Sequence, residues 1–220
     1  MNVKLIGYTP NPEKIPAMAA KLTHSKTKPE DLDKSSDKEL NEILKYVLKA
    51  GHTSVIEHTS FTFAISDVSR SLTHQLVRHR IASYAQQSQR YVNLEKPCYI
   101  IPPKISKNRE MKQAYEKTME KIWQEYNKLI EMGIPAEDSR FILPNATCSN
   151  IIVTMNARSL LNFFELRCCM HAQWEIRKLA NKMLSEVKKV APTIFKNAGP
   201  ICKTKGYCPE NKKDCPLYPK

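Results

Sequence analysis

The stretch "FTFAISDVSRSLTHQL", residues 61 to 76, changes its repeat partway along. Phe61, Phe63 and Ile65 alternate with Thr62, Ala64 and Ser66, the two-residue period of a strand with one buried face. Asp67 then suits a helix cap, and Val68, Leu72 and Leu76 recur at helical spacing. A strand hands over to a helix with no room for a long connection. That unit sets the class: an α+β fold, rich in helix.

The flanks extend the same reading. Upstream, residues 3 to 9 favour a strand. Pro10 and Pro12 open a helix over residues 14 to 22, with Asn11 as its cap. Residues 24 to 36, rich in Lys, Ser, Asp and Pro, read as a mobile connection. Ser36-Asp37-Lys38-Glu39 is a capping box for a helix carrying Leu40, Ile43, Leu44, Val47 and Leu48, and Gly51 stops it. "GHTSVIEH", 51 to 58, reads as a loop or turn. Downstream, the helix through Leu76 is expected to continue to Arg80, with a loop after it and an extended stretch over 91 to 94. A long amphipathic helix covers 106 to 132, with Met111, Tyr115, Met119, Ile122, Tyr126 and Leu129 as its stripe. A short helix follows Pro135, in which Phe141 and Ile142 look buried. Residues 147 to 155 read as a strand, and two further helices meet near His171. The simplest organisation is one domain over 1–220, with 195–220 a tail rich in Cys, Lys and Pro.

The chain has 220 residues, 41% of them hydrophobic and 26% charged, which excludes the disordered class. A formal charge of +13 points to anionic partners: nucleic acid, nucleotides or phosphorylated small molecules. The N-terminal residues lack the apolar core of a signal peptide, and no apolar run approaches the roughly 20 residues that span a bilayer. No membrane is therefore expected. The seven cysteines read as reduced thiols of a cytoplasmic protein. Cys202, Cys208 and Cys215 are separated by five and six residues, with no CxxC and no following histidine, so no metal is expected.

Directly after the opening unit comes "RHRIASYAQQSQR", 78 to 90, with three arginines and no Asp or Glu to neutralise them. Guanidinium forks, hydroxyls and amides suit a phosphate and a flat heterocycle bearing carbonyls. If the helix runs to Arg80, then Gln75, Arg78 and His79 neighbour one another on one turn. The alternative is a solvated helix end. The five glycines form neither GxGxxG nor GxxxxGK[ST], so a Rossmann-type dinucleotide site is excluded. A second polar group comprises Asn156, Arg158, Asn162, Arg167 and His171, in which Arg158 and Asn162 share a helical face. Arg140 stands apart as a third candidate.

Arg78-His79-Arg80 followed by seven residues and Ser88 resembles the signature of the flavin-dependent thymidylate synthases. "GHTSVIEH", "SRFILP", "NARSLLNFFELR" and "HAQWEI" match segments of that family in order, from residue 51 to 176. The resemblance implies that family's fold, with a small antiparallel sheet. It also implies reductive methylation of dUMP to dTMP, with methylenetetrahydrofolate as carbon donor, FAD carrying the hydride and NADPH reducing the flavin. It implies a homotetramer whose active sites are shared between subunits. By matching motif, Ser54, Arg78, His79 and Arg80 would contact FAD, with Asn156, Arg158 and Asn162. His52 and His171 would lie near the isoalloxazine. Gln75, Gln87, Ser88, Gln89 and Arg90 would bind dUMP, helped by Arg78, with Arg140 arriving from another subunit. Gln86 would lie between flavin and nucleotide, where some relatives carry Glu. Arg167 would sit against the pyrimidine edge as the catalytic group. Ser88 has no activating base beside it in sequence, so it is expected to orient dUMP rather than attack it. The competing function is a basic protein that binds nucleic acid or nucleotides without catalysis.

Overall fold

In the computed structural model, which describes residues 1–219, the chain runs β1 (Asn2–Tyr8), α1 (Lys14–Leu22), α2 (Asp37–Lys49), β2 (Ser60–Ser69), α3 (Arg70–Leu76) and β3 (Ser83–Gln86). There follow α4 (Pro103–Ser106), α5 (Arg109–Glu131), α6 (Ala136–Ser139), β4 (Cys148–Asn156), α7 (Ala157–Arg167), α8 (Trp174–Val190), α9 (Pro192–Phe195) and α10 (Ile201–Thr204). The strands make one small antiparallel sheet in the order β1-β2-β4-β3. The α+β, helix-rich class expected from the opening stretch is the class observed. The chain packs as two compact units: residues 1–2, 65–78 and 85–151, and residues 3–64, 79–84 and from 152 onward.

In the first unit α5 is the principal helix. Asn108 caps it by accepting from Met111 N–H at 3.0 Å, and Gly133 leaves it at φ +84°. Its buried side chains are Met119, Trp123 and Tyr126. The stripe therefore runs through Trp123, and Met111, expected on it, is exposed. Trp123 Nε1–H donates to Leu94 O at 2.9 Å and Tyr115 O–H to Ile100 O at 3.0 Å, so the helix clamps the irregular segment between them. Cys148 N–H donates to Cys98 O at 2.9 Å, and Tyr99 bridges Thr147. That antiparallel pairing brings the Cys98 and Cys148 Cα atoms to 5.3 Å, and the two are joined in a disulfide. The expectation of seven reduced thiols is corrected for this pair.

In the second unit, α1 packs on α2, and α7 on α8. A run of rings threads the core: Tyr8 with Phe61, Phe61 with Phe195, Phe195 with Phe164, and Phe164 with Phe163, at centroid separations of 5.4 to 6.5 Å. The capping box holds in half: Ser36 Oγ accepts from Glu39 N–H, but the Glu39 carboxylate pairs with Lys21 at 2.6 Å instead of reaching back.

Other expectations need correction. Asn11 does not cap α1; it sits at φ +48°, and the capping position is Glu13. Glu13 is spent elsewhere, its carboxylate accepting from the N–H groups of Thr193 and Ile194 at the start of α9. The connection over 24 to 36 contains a 3-10 helix, Pro29–Lys34, that buries Leu32, and "GHTSVIEH" forms another, Thr53–His58. Asp67 stays in β2 at φ +56°, and Ser69 caps α3 by accepting from Leu72 N–H at 3.0 Å. Helix α3 stops at Leu76 rather than Arg80, because the chain beyond it is claimed by a sheet ladder: Ser83–Gln86 is strand, and Gln87 N–H continues to Asn150 O at 2.9 Å. Residues 89–91 form a turn, closed by Val92 N–H to Ser88 O at 3.1 Å, so the extended stretch expected from 91 does not begin there. Phe141 is 81% exposed, and Ile142 is exposed beside it.

Candidate active site

Residues 78 and 85–90 of the polar segment belong to the first unit and 79–84 to the second, and the two parts are built differently. In the first unit lie Gln75, Arg78, Gln86 to Arg90, and Arg140. Strand pairing turns Gln86 inward, where its Nε2 donates to the buried hydroxyls of Thr73 at 3.1 Å and Ser149 at 2.8 Å. Asn150 Nδ2 donates to Gln87 Oε1 at 2.9 Å. Ser88 Oγ accepts from Arg90 N–H at 3.1 Å while its carbonyl accepts from Val92, so Ser88 closes a turn. Neither an imidazole nor a carboxylate bonds its hydroxyl among the described residues. A nucleophilic serine would need such a base beside it.

Gln89 Nε2 is buried without a hydrogen-bond partner. Such a donor costs about 1–3 kcal/mol unless something accepts from it. Arg90 forks onto Glu137, with Nε and Nη2 each 2.9 Å from Oε2. The expectation that Arg90 is unneutralised fails here: its acid comes from α6, 47 residues along. Arg140 Nε–H donates to Glu137 O at 3.1 Å. Burial and the Arg140 cation both lower the Arg70 pKa, burial the more. Among the described residues neither of these guanidinium groups forms a salt bridge, and two such cations within electrostatic reach suit an anion. Arg70 escaped sequence reading because a lone arginine opening a helix looks like surface.

The second unit holds His52, Ser54, His79, Arg80, Asn156, Arg158, Asn162, Arg167 and His171. The end of the aromatic run meets His79, whose ring stands edge-on to Phe163 at 4.9 Å. Arg167 Nε–H donates to His79 Nε2 at 3.0 Å. Guanidinium only donates, so Nε2 carries the lone pair and the ring proton sits on Nδ1. Burial, with the Arg167 charge second, pushes the His79 pKa down to about 4. The imidazole is neutral at ordinary pH and serves as a fixed acceptor for Arg167.

Tyr84 O–H donates to His79 O at 2.8 Å, tying the segment from its other side, and burial raises that phenol to about 12. Asn156 caps α7 by accepting from Ser159 N–H at 2.8 Å, and Arg158 pairs with Glu57. His52, Ser54, Arg80, Asn162 and His171 are exposed and form no side-chain hydrogen bond among the described residues.

Of the candidates, the structure brings together Gln86 with Gln87 through Ser149 and Asn150, Arg90 with Arg140 through Glu137, and His79 with Arg167. The supporting residues Thr73, Ser149, Asn150, Glu137, Phe163 and Glu57 were missed, since each is unremarked polar or core sequence until its partner is known. The second unit's set fits a flavin dinucleotide by its chemistry: guanidinium for a diphosphate, amides and imidazoles for ring carbonyls and nitrogens. The donors are side chains, as the missing glycine loop requires.

The family model described as thymidylate synthase complementing protein matches residues 4–193. The chain is 51% identical to the flavin-dependent thymidylate synthase of Clostridium tetani, over 98% of its own length and 93% of that protein. Identity to the Geobacter sulfurreducens flavin-dependent thymidylate synthase is 49%, covering 98% of this chain and 94% of the relative. For the Pyrococcus furiosus protein of the same name it is 43%, covering 96% and 90%. Among solved structures, the UMP/dUMP methylase PolB from Streptomyces cacaoi, bound with 5-Br dUMP, superposes with a TM-score of 0.76 at 24% identity, over 89% of this chain and 93% of that one. That last likeness is one of fold.

Proposed function

The chain belongs to the flavin-dependent thymidylate synthases, and from that premise we propose that it converts dUMP to dTMP by reductive methylation, as one domain with methylenetetrahydrofolate as carbon donor. Bound FAD would supply the hydride chemistry, with NADPH as its reductant. The observation that carries the reading is Arg167 held on a neutral His79.

Making C5 of uracil nucleophilic builds negative charge on the ring carbonyls and N3. A guanidinium fixed in place stabilises that charge where it develops. His79 accepts the Nε proton and fixes the guanidinium, which would sit against the pyrimidine edge. A protonated His79 would repel Arg167, so its low pKa belongs to the device. Gln86, Gln87, Ser88, Gln89 and Arg90, with Gln75 and Arg78, bind dUMP. The unpartnered Gln89 amide gives its proton to a ligand oxygen, and Arg70 joins Arg140 at the phosphate. Gln86 presents its remaining carbonyl oxygen between nucleotide and flavin. Arg80, Ser54, Asn156, Arg158 and Asn162 hold the flavin, with His52 and His171 near its ring system. Arg140 reaches the nucleotide of a neighbouring subunit in a cytoplasmic homotetramer, and neither nucleic acid nor a membrane takes part.

Purified protein that is yellow, oxidises NADPH and releases dTMP from dUMP and methylenetetrahydrofolate is the expected result. Colourless protein that FAD cannot reconstitute would overturn the proposal.

A further inference from the structure

The sequence sets three cysteines in the tail, too few and too irregularly spaced for a metal. Folding adds a fourth. Cys169, just past α7, lines the same cavity of about 70 Å³ as Cys202, Cys208 and Cys215, with His171 at its edge. Four of the five free thiols thus meet at one place, drawn from α7, α10 and the turns beyond. The fifth, Cys168, is buried in the core. Among the described residues no three His, Cys, Asp or Glu side chains are set to hold a metal ion, so the cluster is not a preformed metal centre. The bond left to thiols meeting in pairs is a disulfide.

The tail is a segment in want of one. Among residues 201–219 no side chain is buried, and the only helix has four residues. Segments that cannot build a core are those that cross-links stabilise. Its hold on the rest of the second unit passes through Glu165 of α7, which accepts from Thr204 Oγ1 at 3.2 Å and pairs with Lys205 at 2.9 Å. Cys169 lies four residues beyond Glu165, just past the end of α7, and lines the same cavity. Cys202 lies two and three residues before Thr204 and Lys205, within electrostatic reach of Cys169 and Cys215. With Thr204 and Lys205 pinned to Glu165, Cys202 is the tail thiol carried toward Cys169.

We propose that Cys169 and Cys202 are a thiol modification site, at which a reversible disulfide fastens the C-terminal tail to α7 beside Arg167. Each thiol gives up its proton and together they give up two electrons. Hydrogen peroxide accepts the two electrons and the two protons as its O–O bond breaks and leaves as two waters, and a dithiol reductant reverses the step.

The test uses the full chain and does not depend on the enzymatic reading. Protein is reduced, treated with stoichiometric peroxide, alkylated with N-ethylmaleimide and mapped by mass spectrometry without reduction. The expected outcome is three labelled cysteines of the seven, with linked peptides joining Cys98 to Cys148 and Cys169 to Cys202. Trypsin should cut after the exposed Lys203 and Lys205 several-fold more slowly in the oxidised protein, and Cys169→Ser or Cys202→Ser should remove that difference. Cys202 that is labelled after oxidation, or linked to Cys208 or Cys215, would overturn the proposal. So would one equivalent of zinc kept by the reduced protein through dialysis and lost in Cys202→Ser.

Discussion

Gln86, Gln87, Ser88 and Arg90 in the first unit each hold a protein partner, and Cys98–Cys148 pins the start of the strand that supplies Ser149 and Asn150. In the second unit, His52, Ser54, Arg80, Asn162 and His171 face solvent. The difference is one of preorganisation. A small nucleotide offers few contacts and gains from a run already in place, since ordering costs are met at folding rather than at binding. A large dinucleotide can order loose side chains itself. Asn156 and Arg158 are tied to Ser159 and Glu57, and His79 and Arg167 hold each other, as the pair proposed for chemistry should.

Arg167→Ala should cut dUMP turnover by about 10²–10³-fold, while the protein keeps its flavin absorbance. Equal loss of flavin would move Arg167 into the loosely held group and break the contrast. Cys98→Ser should lower unfolding free energy by about 2–4 kcal/mol, read by urea denaturation under non-reducing conditions. It should also weaken dUMP binding more than FAD binding; the reverse order would place the disulfide's influence in the wrong half. Gln86→Leu takes the donor from two buried hydroxyls, of which that of Thr73 still donates to Arg70 O, for a loss of about 1–3 kcal/mol in ligand-free protein. A variant as stable as the parent would mean that the run is not pre-tied.

A subtler effect separates His79 from the exposed histidines. Its folded pKa, about 4, lies below its ordinary value of 6.5, so between those values the unfolded chain binds more protons. The stability that depends on the neutral ring is complete above 6.5 and is lost as pH falls through 4. His79→Gln should flatten that slope in denaturation curves, and an unchanged slope would assign it to other groups. Arg158→Ala, which breaks an exposed ion pair with Glu57, should cost less than about 1 kcal/mol while weakening flavin retention.

Local chemistry was legible and partner identity was not. Ser36, Gly51, Gly133 and the alternation through Ile65 declared themselves because each acts within a few residues. The early end of α3 did not, because a ladder with β4, more than sixty residues away, decides it. Separations of 47 and 50 residues hid Glu137 from Arg90 and Cys148 from Cys98. The residue types around RHR told the kind of ligand, and the resemblance told which one. Neither foretold that His79 would hold Arg167.

Asp67 carries one more lesson. Buried positions in β2 fall at 61, 63 and 65, and then at 68. The left-handed residue at 67 adds one position to the count, and its N–H donates to Asn150 Oδ1 at 3.3 Å. A strand is read in twos, so this extra residue acts like a frameshift that is suppressed on the spot. Keeping the residue but straightening it, as Asp67→Val would favour, leaves the count of residues unchanged and removes the bulge. The sheet would then read position 67 as inward and Val68 as outward, and α3 would start from the wrong face, carrying Arg70 with it.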